Sequence, residues 1–314
     1  MWQTYTLWTA YLITIKLGII GNIWVICSVM RNARPRNYRW SCQRPSDRLR
    51  SFIFVLAIVD FVVICSLFLR IIYAFDENLV FEKWSCQGLF FLEQISKMAS
   101  MFCLACISLG RYITIRKPFS SQIRSRFYRS VPVIVFLLFI CILIPILFTS
   151  EEIETSVDKQ DCIINASNQW HQPNSICVAL TFTILLVLVS VNYGEIVRHV
   201  RQKFSKRKAR ESANFNNNQQ RLSEPRYMRE MTSSIARVAV FHIICWLPFC
   251  FFSIVSIKTW SLVSVSIRPI QRVKDKQCWV LWVYVIVNWL TYLNSALNWI
   301  FYAVMNRDLR ELIR

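Results

Sequence analysis

Four ionisable side chains, Asp60, Arg70, Glu93 and Lys97, stand in stretches that are otherwise fit for lipid. At such depth each costs several kcal/mol unless it faces protein or water, so each reads as functional by default. Glu93 and Lys97 are spaced i, i+4 with the acid on the N-terminal side, the favourable order, and therefore share one helix face. Glu93 offers a carboxylate to an amine or a guanidinium, while Lys97 and Arg70 offer cations to a carboxylate. The competing reading is that Glu93 and Lys97 neutralise each other, as buried charges tend to do. Asp60 is a lone carboxylate in its own apolar run. The chain has 3 histidines, none spaced for a metal or a nucleophile site. These residues are equipped to bind rather than to catalyse, and no enzyme is expected.

The elements that must hold them are membrane helices. Of 314 residues, 55% are hydrophobic and 18% charged, where a soluble domain carries roughly 25%. Residues 1–15, 51–69 apart from Asp60, 131–149, 175–194, 238–257 and 277–306 lack Lys, Arg, Asp and Glu. With 86–112 they make seven runs long enough to cross a ~30 Å hydrocarbon core. The runs are continuously apolar rather than alternating, which favours helices over a barrel. The expected fold is an all-α membrane protein, a seven-helix bundle with spans near 8–30, 51–74, 87–112, 131–150, 175–198, 234–257 and 279–303. Residues 306–314, with Leu309, Leu312 and Ile313 against Arg307, Arg310 and Arg314, suit a short amphipathic surface helix.

The net charge of +19 is not a nucleic-acid signature, because the basic residues crowd alternate connections. They lie between spans one and two (Arg31 to Arg50), around the end of span three (Arg111 to Arg129), between spans five and six (Arg198 to Arg229), and after span seven. The positive-inside rule puts these segments and the C-terminus in the cytoplasm and the N-terminus outside. The segment with Glu151, Glu152, Glu154, Asp158 and Asp161 becomes an acidic outer loop. The basic 258–276 connection is an exception to the rule. No cleavable signal peptide is evident, and the first span is expected to act as an uncleaved anchor. Residues 204–228, basic and then polar, read as a flexible cytoplasmic loop. Pro145 and Pro248 should kink spans four and six. Of 12 cysteines, Cys86, Cys162 and Cys278 fall on the outer side, where oxidation favours pairing two of them. Asn165-Ala166-Ser167 on that side is a glycosylation sequon.

Five motifs in order carry a resemblance: Gly21-Asn22; Leu56-Ala57-Ile58-Val59-Asp60; Gly110-Arg111-Tyr112; Cys245-Trp246-Leu247-Pro248; and Asn294-Ser295 through Asn298-Trp299-Ile300-Phe301-Tyr302. Together they resemble the rhodopsin-like G-protein-coupled receptors, over essentially the whole chain. The resemblance implies a sodium site at Asp60 with Ser100, Asn294, Ser295 and Asn298. Trp246 matches the toggle residue of a Pro248-kinked helix. Arg111, Tyr112, Tyr193 and Tyr302 match residues that rearrange to admit a heterotrimeric G protein, and Phe119 matches a loop position that inserts into its α subunit. The face bearing Glu93 and Lys97 turns inward beside Trp246 and Tyr292, with Arg70 above, as the ligand site. A Cys86–Cys162 bridge would pin the second outer loop over it.

The chain also departs from that pattern. Gly110 replaces the acid that restrains the neighbouring arginine, and Met228 stands where many relatives carry a glutamate, which implies raised ligand-independent signalling. Trp299 and Leu185 replace family prolines in spans seven and five, and His242 a phenylalanine below Trp246. Trp299 is left to pack against span one or the lipid, with the local kink in doubt. There is no palmitoylation cysteine and no Ser/Thr tail, so the product is expected to be short or the sequence incomplete. The leading expectation is a plasma-membrane receptor for an extracellular peptide, as in neuropeptide signalling, acting on G proteins. A biogenic-amine receptor is the alternative within the family, with Glu93 in place of an aspartate. A multi-pass transporter is the alternative outside it, although five glycines and no repeat argue against it. Retinal is disfavoured because span seven has no lysine.

Overall fold

The computed structural model describes residues 2–31, 45–75, 82–116, 121–151, 153–155, 162–164, 171–213, 226–255 and 278–301. Among them are seven helices: α1 (Trp2–Arg31), α2 (Pro45–Phe75), α3 (Lys83–Arg116), α4 (Ser121–Glu151), α5 (His171–Ala213), α6 (Arg226–Val255) and α7 (Cys278–Trp299). Five contain segments long and apolar enough to cross a membrane: Tyr5–Arg31, Arg50–Ile72, Lys83–Arg116, Ile176–Lys203 and Ala236–Ile254. In α4 the apolar part is shorter, Phe136–Glu151, and α7 carries no charge along its 22 residues.

The charged ends extend the helices well past the apolar runs. Span five continues to Ala213 as a 43-residue helix, and α6 starts at Arg226. The stretch 204–228 is therefore helical at both its ends, since Lys, Arg and Ala are good helix formers once a packed helix has nucleated. The surface helix expected over 306–314, the sequon asparagine Asn165, Phe119 and Tyr302 lie outside the described residues.

The connection after α4 adds a feature that the all-helical reading did not contain. Ile153–Thr155 and Cys162–Ile164 pair as an antiparallel hairpin, β1 and β2, with Thr155 opposite Cys162. Its β-branched residues suit a pleated strand. Cys162 is bonded to Cys86 at the start of α3. Gln87 Nε2, one residue on, donates to the Glu151 and Ile153 carbonyls at 3.3 and 3.5 Å. The hairpin is thus tied to α3 covalently and by hydrogen bonds.

Helix α3 runs through the middle, touching α2, α4 and α5, while α7 closes the ring against α1, α2 and α6. Lipid-type side chains such as Phe136, Leu137, Ile184 and Phe251 point outward, as a bundle in hydrocarbon requires. Two glycines allow α1 to approach closely. A Cβ on Gly18 would meet Ile64 Cγ1 at 2.6 Å and the Ala296 Cα at 3.3 Å. A Cβ on Gly21 would fall inside the Trp299 indole. Such small residues set interhelical distance in membranes. Asn22 adds a polar tie, donating to the Gly18 carbonyl at 3.0 Å and the Ser295 carbonyl of α7 at 3.2 Å.

Candidate functional site

The hairpin end of the bundle holds a charge cluster built by three helices. Glu93 Oε1 accepts a hydrogen bond from Lys97 Nζ at 2.7 Å, one turn further along α3. Its Oε2 accepts from Arg70 Nη1 of α2, also at 2.7 Å. Lys97 donates a second bond to Asn288 Oδ1 of α7 at 2.7 Å, and Asn288 Nδ2 lies 3.5 Å from Glu93 Oε1. Below it the ammonium sits 4.1 Å from the centroid of the Tyr292 ring and 5.8 Å from that of Phe249. Side-chain exposure falls from 13% at Arg70 to 7% at Glu93 and 1% at Lys97. Glu93 and Lys97 do pair, and a second cation shares the same carboxylate.

Next to this cluster, beyond Phe249, lies a small cleft between α3, α4, α5 and α6. Phe90, Gln94, Ile146, Phe182, Phe249 and Ser253 are among its walls. Its lining is largely apolar with a few polar groups, as small-molecule sites have. Phe182 stacks on the fully buried Trp246, and Phe249 meets both rings edge-on. Pro248, two residues beyond Trp246, lies inside α6, where it removes one helical hydrogen bond.

A second polar set occupies the middle of the bundle. Asp60 is fully buried; Oδ1 accepts from Ser100 Oγ of α3 at 2.7 Å and Oδ2 from Asn298 Nδ2 of α7 at 2.9 Å. Asn294 and Ser295 precede Asn298 by four and three residues and so share its face. Ser295 faces Asp60, and Asn294 Oδ1 and Asn298 Oδ1 are buried without a hydrogen-bond partner among the described residues. One carboxylate with several neutral oxygens fits a small hard cation held by oxygen ligands. A narrow crevice lined by Asn22, Asp60, Asn298 and Trp299 adjoins it.

At the opposite end from the hairpin, Arg111 and Tyr193 are buried in the α3–α5 interface region. Asn192 Nδ2 donates to Ser108 Oγ at 3.1 Å, and Arg116 donates to the Tyr112 hydroxyl and faces Glu195 of α5 at 3.7 Å. Of the positions that depart from the family pattern, Leu185 and His242 are buried in the core. His242 Nδ1 donates to the Val238 carbonyl at 2.7 Å. Trp299 packs on α1, edge-on to Trp24 with ring centroids 6.1 Å apart, and a π-helical turn follows at 300–301.

Sequence reading missed Asn288, which joins α7 to the charge cluster, and the cleft residues Phe182 and Phe249. Asn288 lies one turn before Tyr292 in an uncharged helix, and that polar residue in an apolar run was its one available signal.

Residues 21–302 match the 7 transmembrane receptor (rhodopsin family), and the chain belongs to that family. It is 25% identical to the mouse (Mus musculus) somatostatin receptor type 2 over 307 residues, which is 96% of this chain and 74% of that receptor. It is 26% identical to the zebrafish (Danio rerio) galanin receptor 2a over 304 residues, 94% of this chain and 73% of the other. Identity with the mouse melatonin receptor type 1B is also 26%, over 318 residues covering 99% and 77% of the two chains.

Proposed function

We propose that this rhodopsin-family receptor is activated by an extracellular peptide and signals by driving nucleotide exchange on a heterotrimeric G protein. One observation carries the reading: a charge cluster drawn from α2, α3 and α7 lies beside an apolar cleft walled by α3 to α6, whose Phe182 stacks on Trp246. A peptide offers both a charged group and a side chain to such a pair of neighbouring surfaces. Two relatives are receptors for the peptides somatostatin and galanin, which supports the same class of ligand. Arg70, Glu93, Lys97, Trp246 and Tyr292 are the ligand-facing residues in this reading.

The receptor sits in the plasma membrane with the N-terminus and hairpin outside and the basic connections inside, following the distribution of Lys and Arg. Asn165 then carries a glycan. Arg111, Tyr112 and Tyr193, with Phe119 and Tyr302, form the G-protein end. Asp60, Ser100, Asn294, Ser295 and Asn298 hold a sodium ion, which supplies the positive charge that the buried Asp60 carboxylate lacks. The amine-receptor reading is weaker because Glu93 already faces two cations, and a ligand ammonium would be a third.

The test is a peptide-library screen on cells expressing the full chain with a promiscuous G protein, read by calcium and cAMP. Hits are confirmed as nucleotide exchange in membranes and by its loss in Arg111→Ala. Uptake of a solute, with no exchange for any peptide, would overturn the reading in favour of a transporter.

A further inference from the structure

A buried serine or threonine in a membrane helix ordinarily bonds back to a carbonyl of its own helix. Here Thr149 Oγ1 donates to the Pro145 carbonyl at 2.8 Å, Ser150 Oγ to that of Leu147 at 2.7 Å, Ser96 Oγ to that of Leu92 at 2.6 Å and Thr291 Oγ1 to that of Asn288 at 2.7 Å. Ser100 and Ser295 turn to Asp60 instead. Ser253 of α6 does neither. It is 2% exposed, and its Oγ is buried without a hydrogen-bond partner among the described residues. A buried hydroxyl left unbonded is costly and calls for a partner. The space that Ser253 borders is the cleft.

The rest of the lining narrows what that partner belongs to. Phe90, Phe182 and Phe249 bring three rings, from α3, α5 and α6, and an aromatic guest meets such rings edge-on or offset. Gln94 and Thr149, the other polar residues of the lining, are neutral, and no charged residue is among its described members. A carboxylate or an ammonium would therefore enter without a counter-charge. Phe90, Gln94 and Val178 are half-buried and mark the mouth, while Ile146, Ala179 and Ser253 are buried and mark the floor. We propose that the cleft receives one aromatic side chain of the activating ligand, and that Ser253 reads a hydroxyl at the far edge of its ring: the ligand is a peptide carrying a tyrosine. A phenylalanine would fill the same space and leave Ser253 unbonded. The double ring of tryptophan is the larger guest for a small cleft. Ser253 is thus a specificity-determining residue. The inference rests on the receptor reading above, but its first test needs no signalling.

The full-length purified receptor is heated with N-acetyltyrosinamide, N-acetylphenylalaninamide or N-acetyltryptophanamide at millimolar concentration, and its melting is followed as the fraction that stays soluble. The tyrosine probe should raise the melting temperature by roughly 2–4 °C, more than either of the others. Ser253→Ala should reduce the tyrosine shift to that of phenylalanine. Because the hydroxyl has no partner to lose, the unliganded variant should melt no lower than the parent. A lower melting temperature of the unliganded variant, no shift from any probe, equal shifts from tyrosine and phenylalanine, a larger shift from tryptophan, or a tyrosine preference kept by the variant would each overturn the proposal. A set of active peptides that all lack tyrosine would overturn it while leaving the receptor reading in place. A tyrosine-selective, Ser253-dependent shift with no nucleotide exchange for any peptide would do the reverse.

Discussion

Phe182 lies stacked on Trp246, the ring centroids 5.2 Å apart and the planes 22° from parallel. Because Phe182 also lines the cleft, whatever fills the cleft presses on a ring that presses on Trp246. Phe182→Ala should cost roughly 3 kcal/mol of stability from the void it leaves. It should also lower the maximal nucleotide exchange produced by an agonist at saturating occupancy. Phe182→Tyr keeps the ring and should keep most of that response. Unchanged maximal exchange in the alanine variant would mean that the stack is packing alone.

Asp60 should confer sodium sensitivity. Its carboxylate, the Ser295 hydroxyl beside it and the unpartnered oxygens of Asn294 and Asn298 are suited to a hard cation, so the receptor should melt at a higher temperature in sodium chloride than in N-methylglucamine chloride. Asp60→Asn removes the charge while keeping the shape and should abolish the difference. A sodium effect of equal size in the variant would exclude Asp60 from the site.

Removing the shared anion should be far worse than removing either cation. Glu93→Gln takes away the carboxylate that Arg70 and Lys97 both contact, a change worth about 3–5 kcal/mol in a buried setting, and cell-surface expression should fall accordingly. The double variant Glu93→Gln with Lys97→Met leaves one cation instead of two and should recover part of the loss. Strict additivity of the two single changes would show that the side chains act independently.

Gly110 is buried on α3 beside Arg111, its carbonyl accepting from Thr114 Oγ1 at 2.8 Å. It brings no charge to the arginine. Gly110→Asp should lower exchange in the absence of ligand by about 3- to 10-fold, the size of a ~1 kcal/mol bias between resting and active states. The measurement is basal nucleotide exchange at matched receptor density. Equal basal rates would show that Gly110 does not raise exchange in the absence of ligand.

The helices were legible because lipid imposes a length and a composition on every crossing segment. Asp60, Ser100 and Asn298 could be assembled on paper because Asp60 and Asn298 stand in recognisable motifs and the family resemblance places Ser100 beside them. Asn288 belongs to no motif, and its importance arises only where α7 meets α3. Phe182 and Phe249 are two of 22 phenylalanines, and composition does not separate a ring that lines a cleft from one that faces lipid. The β1–β2 hairpin is hidden for another reason: three residues per strand are too few to show a period. The extension of α5 to Ala213 was missed because a basic, polar stretch reads as solvated chain whether or not a helix behind it continues.

Trp299 and Gly21 are bound to a common history. The indole occupies the volume that any side chain at 21 would need, so neither position can drift alone. An alanine at 21 requires a smaller residue at 299, and a tryptophan at 299 excludes everything but glycine at 21. In close kin of this receptor the two sites should covary. Wherever 299 returns to proline, the constraint on 21 lifts and substitutions should begin to accumulate there.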